Sequence, residues 1–133
     1  MTSDPVLIDT SCWIEYFNRP GKEIAIAVGN SIREDSASLT GVVLAELLQG
    51  ARSEEESSRL REALGAVNYI GTSQRMYGRA GELGFTLRRR GITVPVTDCM
   101  IAAAAESAGG RILTLDSHFT ELAKVASLDV LSR

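Results

Sequence analysis

The sequence predicts an α/β fold in which helices flank a central, mostly parallel sheet. Short apolar segments at Val6–Ile8, 112–115 and 128–131 alternate with stretches of helical periodicity, a pattern typical of parallel sheets covered on their faces. The last of these segments is expected to form an edge strand. The chain has 133 residues and shows no repeat, linker or low-complexity tract, so we expect a single domain over residues 1–133.

Two short helices are predicted after the first strand. Thr10 or Ser11 is expected to cap the first of them, and Pro20-Gly21 ends it. The second helix covers 23–32, where apolar residues recur along one face. Both helices therefore lie between the first strand and the next apolar segment.

The middle of the chain is predicted to form a strand followed by two helices. Segment 36–39 is the strand, and a helix follows over about 41–48 with Gly50 as its C-terminal cap. Ser53 and Glu56 have the spacing of a capping box. This spacing predicts that a further helix begins directly after Ser53.

The second half contains the longest predicted helix. It follows a short strand at 67–70, is capped by Thr72 and ends at Gly91. Pro95 interrupts the next apolar segment, which we therefore expect to be a loop or an edge segment. Thr97 is expected to cap the alanine-rich helix that leads to the next strand.

Four acidic residues lie at strand ends or on helices. Asp9 and Asp116 directly follow strands, Asp98 begins a helix, and Glu46 lies on one. Singly, Asp9 is explained as a turn residue or helix cap, and Asp98 as a complement to a helix dipole. Glu46 lies in an apolar stretch, where a carboxylate is costly to bury unless it is paired or bound to a metal. Because strand ends converge on one edge of an α/β sheet, the four acids can share a site. Carboxylates that repel one another suit Mg²⁺ or Mn²⁺, which activates water for attack on a phosphodiester.

Composition and motifs argue against several other classes of protein. No apolar run is long enough to cross a bilayer and no signal peptide begins the chain, so we expect a cytoplasmic protein without a membrane partner. Cys12 and Cys99 lack metal-binding spacing and are expected to be buried free thiols. Walker, GxGxxG and GxSxG motifs are absent. His118 is expected to be an incidental surface residue of its turn.

Four motifs in this order resemble those of PIN domains, specifically the VapC-type toxins of type II toxin–antitoxin pairs. They are VLIDTS at 6–11, VLAELLQG at 43–50, TDCMIAA at 97–103 and ILTLDSHF at 112–119. The resemblance extends over essentially the whole chain. It implies a PIN-like three-layer fold, with the mostly parallel sheet between layers of helices.

The resemblance also implies a metal-dependent endoribonuclease. Asp9 and Asp98 would be the principal metal ligands, and Glu46 and Asp116 would complete the acidic cluster directly or through water. Mg²⁺ is the expected ion, with Mn²⁺ as the alternative, and the number of ions stays open. The sequence departs from the family at His118, where an aspartate is common, but we expect the four-acid site to be intact.

Other residues have supporting roles in this resemblance. The hydroxyl groups of Thr10, Ser11 and Thr114 are candidates for positioning a carboxylate or a phosphate. An acidic pocket needs cations elsewhere to hold the RNA backbone. The candidates are the basic residues Arg88, Arg89, Arg90, Lys22 and Arg19. The alternative for the arginine run is a solvated helix face.

The partners implied are a second copy of the chain and a small antitoxin. In the family the substrate groove crosses both subunits of a homodimer. A VapB-like antitoxin would lay a C-terminal segment into the acidic pocket, often with an arginine that neutralises the same carboxylates as the metal. Inhibitor and metal should therefore compete.

Two other functions are alternatives to RNA cleavage. One is a structure-specific DNA nuclease, which the small size and lack of a large insertion argue against. The other is a PIN domain that only binds RNA or a partner, which the intact set of four acids argues against. The sequence leaves open the RNA that is cut, the identity of the antitoxin and the choice between Mg²⁺ and Mn²⁺.

Overall fold

One sheet of five short strands lies at the centre of the computed structural model, which describes residues 4–131. The strands are β1 (Val6–Ile8), β2 (Ala37–Leu39), β3 (Asn68–Tyr69), β4 (Arg111–Leu113) and β5 (Asp129–Leu131). Their order across the sheet is β3-β2-β1-β4-β5, and every neighbouring pair is parallel. The predicted central sheet is confirmed, and over the described residues it is wholly parallel.

Helices connect the strands and flank the sheet. Within residues 4–131 they are α1 (Thr10–Asn18), α2 (Glu23–Arg33), α3 (Gly41–Gln49), α4 (Glu54–Leu64), α5 (Gln74–Arg89), α6 (Val96–Ser107) and α7 (His118–Leu122). α5 packs along α6, and α1 packs against α2 and α3. No helix in this part of the chain has both the length and the apolar character needed to cross a bilayer.

The two central strands of the sheet, β1 and β4, are deeply buried. Leu7 and Ile8 of β1 and Ile112 of β4 have no exposed surface, as expected for central strands of a parallel sheet. β1 pairs with β2 on one side and β4 on the other, with Ile8 beside Leu113. The residues that follow β1 and β4 therefore emerge side by side at the carboxyl edge of the sheet.

Several predicted boundaries are confirmed by the structure. Ser53 caps α4, with its Oγ accepting a hydrogen bond of 3.0 Å from the backbone N–H of Glu56. Gly50 is the C-terminal cap of α3. The segment that contains Pro95 forms no strand within the described residues, because proline has no backbone N–H for a sheet ladder.

The predicted cap of the longest helix is wrong by one residue. Ser73 caps α5, and its Oγ accepts a hydrogen bond of 3.3 Å from the backbone N–H of Met76. The hydroxyl of Thr72 is instead hydrogen-bonded to the hydroxyl of Tyr77 at 2.9 Å. Both residues carry a hydroxyl group that could cap a helix, but only the Ser73 hydroxyl accepts a hydrogen bond from a backbone N–H of α5.

Two other helices begin earlier than predicted. Asp9, rather than Thr10 or Ser11, is the N-cap residue of α1. α6 begins at Val96 with Pro95 as its N-cap, so Thr97 lies inside the helix. Both shifts place an acidic residue of the predicted site at a helix N-terminus or in its first turn.

A part-buried ion pair joins α5, α6 and the segment before β5. Nε of Arg79 lies 2.8 Å from Oε1 of Glu106, and its Nη2 donates to Oε2 of the same carboxylate at 3.1 Å. Oε2 of Glu106 also accepts a hydrogen bond of 2.7 Å from the backbone N–H of Ser127. This bidentate pair fixes the C-terminal segment against the two packed helices.

Candidate active site

Asp9 lies at the carboxyl edge of the sheet, directly after β1. Its residue surface is 4% exposed, and its Oδ2 accepts hydrogen bonds of 2.9 Å from Ser11 Oγ and Thr114 Oγ1. Ser11 Oγ also accepts a hydrogen bond of 3.2 Å from the backbone N–H of Leu115. The two hydroxyl groups therefore hold the Asp9 carboxylate between the start of α1 and the end of β4.

Asp116 is tied to Asp9 through Thr114. The backbone N–H of Asp116 donates a hydrogen bond of 2.9 Å to Thr114 Oγ1, while the same hydroxyl donates to Asp9. Thr114 is buried with 3% exposure. The Thr114 hydroxyl therefore donates to Asp9 and accepts from Asp116, which holds these two acids near each other although they are far apart in the sequence.

Asp98 joins these acids from the first turn of α6, where it is buried. Burial raises the pKa of the Asp98 carboxyl above its ordinary value of 3.8, and the negative charges of Asp116 and Asp9 raise it further. A hydrogen bond with His118 opposes this shift. The three acids are therefore close enough to repel one another.

The cluster fits a divalent cation by its charge and by its donor atoms. Within residues 4–131 no lysine or arginine forms an ion pair with Asp9, Glu46, Asp98 or Asp116. Burial raises the pKa of Asp98 most, and the negative charges of Asp116 and Asp9 add to that shift. Carboxylate oxygens are the ligands that Mg²⁺ and Mn²⁺ accept, and a bound cation would relieve the repulsion.

His118 lies inside the cluster, so the prediction of an incidental surface residue is wrong. Its Nδ1 is 2.8 Å from Oδ2 of Asp98 and 3.2 Å from Oδ1 of Asp116. Its backbone N–H donates to Oδ1 of Asp116 at 2.9 Å. The hydrogen bond to Asp98 raises the pKa of His118, and the charge of Asp116 raises it further. The sequence did contain one indication that His118 belongs to the site: it lies two residues after Asp116, at a position where the family often has an aspartate.

Glu46 is connected to the cluster through a hydrogen bond with Thr10. It is half-buried on α3, and its Oε1 accepts a hydrogen bond of 2.6 Å from Thr10 Oγ1. Ligand atoms of Asp98, Asp116 and His118 all lie within 4.8 Å of one another, a group that includes neither Glu46 nor Asp9. Thr10 directly follows Asp9, so this contact links α3 to the start of α1 beside the site.

The arginine run lies at the end of α5, near the start of α6. Arg88 is exposed and lines a groove together with Val96 and Cys99, which flank Asp98 on α6. Arg89 is also exposed, and its guanidinium carbon lies 5.8 Å from the centre of the Phe85 ring. Of the two, Arg88 is therefore the one that lines a groove beside the first turn of α6, the turn that carries Asp98.

The other basic candidates are exposed but have different surroundings. Arg90 is the residue after α5. Arg19 follows α1 and forms an ion pair of 3.9 Å with Glu15, and Lys22 precedes α2. Since surface ion pairs of this length contribute little energy, Arg19 keeps its charge available to an anionic ligand.

The two cysteines are buried free thiols, as predicted. Burial raises the pKa of Cys12 to about 12, and burial also raises the pKa of Cys99. Both side chains are therefore protonated near neutral pH and serve as small apolar residues of the core.

Comparisons with known proteins show which family the chain is similar to. A model of the PIN domain family matches residues 6–125. Ribonuclease VapC11 of Mycobacterium tuberculosis is 30% identical over 131 residues, covering 96% of this chain and 98% of the relative. A VapC ribonuclease of Mycobacterium bovis matches to the same extent.

Solved structures show the same fold at lower sequence identity. The structure of VapBC2 from Rickettsia felis, bound to a DNA fragment from its promoter, matches with a TM-score of 0.79 and 20% identity, covering 96% of this chain and 97% of the other. VapBC-1 from nontypeable Haemophilus influenzae matches with a TM-score of 0.74 and 19% identity, covering 96% of each chain. The family match over most of the chain and the 30% identity to curated relatives decide the assignment. The chain belongs to the PIN domain family and, within it, to the VapC ribonucleases.

Proposed function

We propose that the chain is a metal-dependent endoribonuclease and the toxin of a type II toxin–antitoxin pair. The observation that supports this most is the meeting of Asp9, Asp98 and Asp116 at the carboxyl edge of the sheet without a compensating lysine or arginine in the described residues. The curated relatives are named ribonucleases and match nearly end to end. We further propose that residues 1–133 form one domain, since β5 extends the sheet past the matched region to Leu131.

Asp9, Asp98 and Asp116 are the proposed ligands of a divalent cation, with Glu46 acting at the edge of the site. A cation bound there supplies a Lewis acid for phosphodiester hydrolysis. Mg²⁺ and Mn²⁺ are both candidates because they accept carboxylate oxygens. Ser11 and Thr114 orient the Asp9 carboxylate through hydrogen bonds of 2.9 Å.

In this proposal Thr10 positions a carboxylate of the site, whereas Arg88 binds the RNA backbone. Thr10 Oγ1 fixes the Glu46 carboxylate at 2.6 Å, which aims Glu46 toward the segment that contains Asp9. Arg88 lies beside the N-terminus of α6, where it can contact a phosphate next to the one being cleaved. Arg89, Arg90, Lys22 and Arg19 are weaker candidates for RNA contact, since none of them lines this groove.

The proposed partners are an RNA substrate, a second copy of the chain and a VapB-like antitoxin. Several solved structures with this fold are described as VapBC or toxin–antitoxin complexes. An antitoxin arginine inserted among the carboxylates would replace the metal, since a guanidinium binds carboxylates by charge-assisted hydrogen bonds. Cytoplasmic localisation stays a prediction of the sequence.

The test uses purified, antitoxin-free protein with labelled single-stranded RNA and with branched DNA. We expect RNA cleavage with Mg²⁺ or Mn²⁺, none with EDTA, and none by the Asp98→Asn variant. Asp129→Asn, a change at an exposed residue of β5, is the matched control and should cleave normally. Cleavage of branched DNA alone would favour the DNA nuclease, and RNA binding without cleavage would favour the binding domain.

A further inference from the structure

The imidazole of His118 lies between two carboxylates of the site. Its Nδ1 is 2.8 Å from Oδ2 of Asp98 and 3.2 Å from Oδ1 of Asp116. The ring is held there by the turn, since the backbone N–H of His118 donates to Oδ1 of Asp116 at 2.9 Å. The His118 side chain is 39% exposed, so solvent and ligands reach the ring from the open side.

These three side chains have the spacing of ligands around one cation. Their ligand atoms all lie within 4.8 Å of one another. An octahedral ion with bonds of about 2.1 Å places adjacent donor atoms about 3.0 Å apart. The distances from Nδ1 to the two carboxylates, 2.8 and 3.2 Å, fall on either side of that value.

We propose that His118 is a metal ligand that makes the site selective for transition metals over Mg²⁺. The inference rests on the proposed nuclease function and specifies the ligand set of its metal. Nδ1 of His118, Oδ2 of Asp98 and Oδ1 of Asp116 are the donor atoms that would hold the ion. As a ligand, the imidazole has its proton on Nε2 and directs the Nδ1 lone pair at the ion.

Selectivity follows from the change of one donor atom. Mg²⁺ prefers oxygen ligands in a near-ideal octahedron and gives up water reluctantly. Imidazole nitrogen suits the first-row transition metals, whose affinities for a given nitrogen and oxygen site rise along the series from Mn²⁺. The site should therefore bind Mn²⁺ and Co²⁺ more tightly than Mg²⁺, and His118→Asp should shift the preference toward Mg²⁺.

The alternative is that His118 only donates a hydrogen bond to Asp98. In that case the ring orients the carboxylate and does not contact the ion. The two roles differ in a property that can be measured directly, because a coordinated imidazole nitrogen is magnetically coupled to bound Mn²⁺. The chain contains a single histidine, so in protein without a histidine tag an imidazole signal has only one source.

The experiment is pulsed electron paramagnetic resonance of Mn²⁺ bound to the tag-free protein. We expect ¹⁴N coupling typical of imidazole in the wild type and in Thr120→Ala, a control at an exposed residue of α7. The coupling should be lost in His118→Asn, with folding checked by circular dichroism. Persistence of the coupling in His118→Asn would overturn the proposal.

Competition titrations test the selectivity. The ratio of Mn²⁺ affinity to Mg²⁺ affinity should fall at least about tenfold from wild type to His118→Asp, as expected for a change in the ligand set. Mn²⁺ binding that requires Asp98 but shows no ¹⁴N coupling would overturn the role of His118 and leave the nuclease proposal standing. Absence of Mn²⁺ binding by the folded wild type would remove the metal site, and both proposals with it.

Discussion

Thr114 Oγ1 donates a hydrogen bond of 2.9 Å to Oδ2 of Asp9, although 105 residues separate the two in sequence. The contact exists because β1 and β4 are parallel neighbours, with Ile8 beside Leu113 in register. The residues that directly follow the two strands, Asp9 after β1 and Thr114 after β4, are therefore neighbours. This pairing positions the central carboxylate of the site by means of the sheet itself.

Loss of the Thr114 hydroxyl should impair both folding and catalysis. Thr114→Val removes one donor from Asp9 and leaves the backbone N–H of Asp116 without its acceptor. We expect the free energy of unfolding to fall by about 1–3 kcal/mol and RNA cleavage to fall by roughly 10- to 100-fold. Denaturant melts and cleavage rates measure the two effects. Thr114→Ser keeps the hydroxyl and should retain most activity; equal loss in both variants would contradict a role for the hydroxyl.

Glu46 should contribute less to cleavage than Asp98. Glu46 is bonded to Thr10 and lies outside the group of close ligand atoms, whereas Asp98 is within it. We expect Glu46→Gln to slow RNA cleavage by about 10- to 100-fold and Asp98→Asn by at least about 10²- to 10³-fold. Single-turnover rates at saturating Mn²⁺ make the comparison. A larger loss in Glu46→Gln would place Glu46 among the direct metal ligands.

Arg88 should act in RNA binding and not in the chemical step. It lines the groove beside the N-terminus of α6, so Arg88→Gln should raise the KM for RNA and leave kcat nearly unchanged. Loss of one phosphate contact should also reduce the slope of log affinity against log salt by about 0.7 for a single strand. Arg61→Gln, at an exposed residue of α4, is the matched control. An unchanged KM and salt slope in Arg88→Gln would mean that this residue belongs to a solvated helix face.

The pair of Arg79 and Glu106 should stabilise the fold in a pH-dependent way. Hydrogen bonds from Arg79 lower the pKa of Glu106 below its ordinary value of 4.5. A lowered folded pKa means that the stabilisation is fully present above 4.5 and is lost as the pH falls through the folded pKa.

Glu106→Gln should therefore lower the free energy of unfolding near neutral pH by roughly 1 kcal/mol. The figure lies below the range of about 1.5–3 kcal/mol for a hydrogen bond to a charged group because the Arg79 side chain is 36% exposed and solvent screens the pair. The difference from wild type should shrink as the pH falls below 4.5. Glu62→Gln, at an exposed residue of α4, is the control. A difference that stays constant with pH would show that packing, and not charge, explains the loss.

Local patterns in the sequence were sufficient to predict the sheet and the positions of Asp9 and Asp116 after its strands. Apolar segments followed by Asp9 and Asp116 indicate strand ends, and parallel strands bring their ends together. Ser53 and Gly50 were predictable for the same reason, since caps have local signatures.

His118 and the caps of α5 and α6 depend on contacts that no local pattern specifies. The partner of His118, Asp98, lies 20 residues earlier, across a helix and a strand. Thr72 and Ser73 both have capping hydroxyls, and only the path of the chain selects Ser73. The hydrogen bond between Thr10 and Glu46 also depends on how α1 and α3 pack, and the place of Glu46 among the metal ligands stays a prediction.

The most direct test of the central claim is incubation of the antitoxin-free protein with total RNA in Mg²⁺, Mn²⁺ or EDTA, followed by mapping of the new 5′ ends. Hydrolysis at a metal site predicts discrete cuts with 5′-phosphates that require the cation and disappear in Asp98→Asn. The map would also identify the RNA that is cleaved. The same cuts in EDTA or in Asp98→Asn, or intact RNA with every metal from the folded protein, would contradict the account.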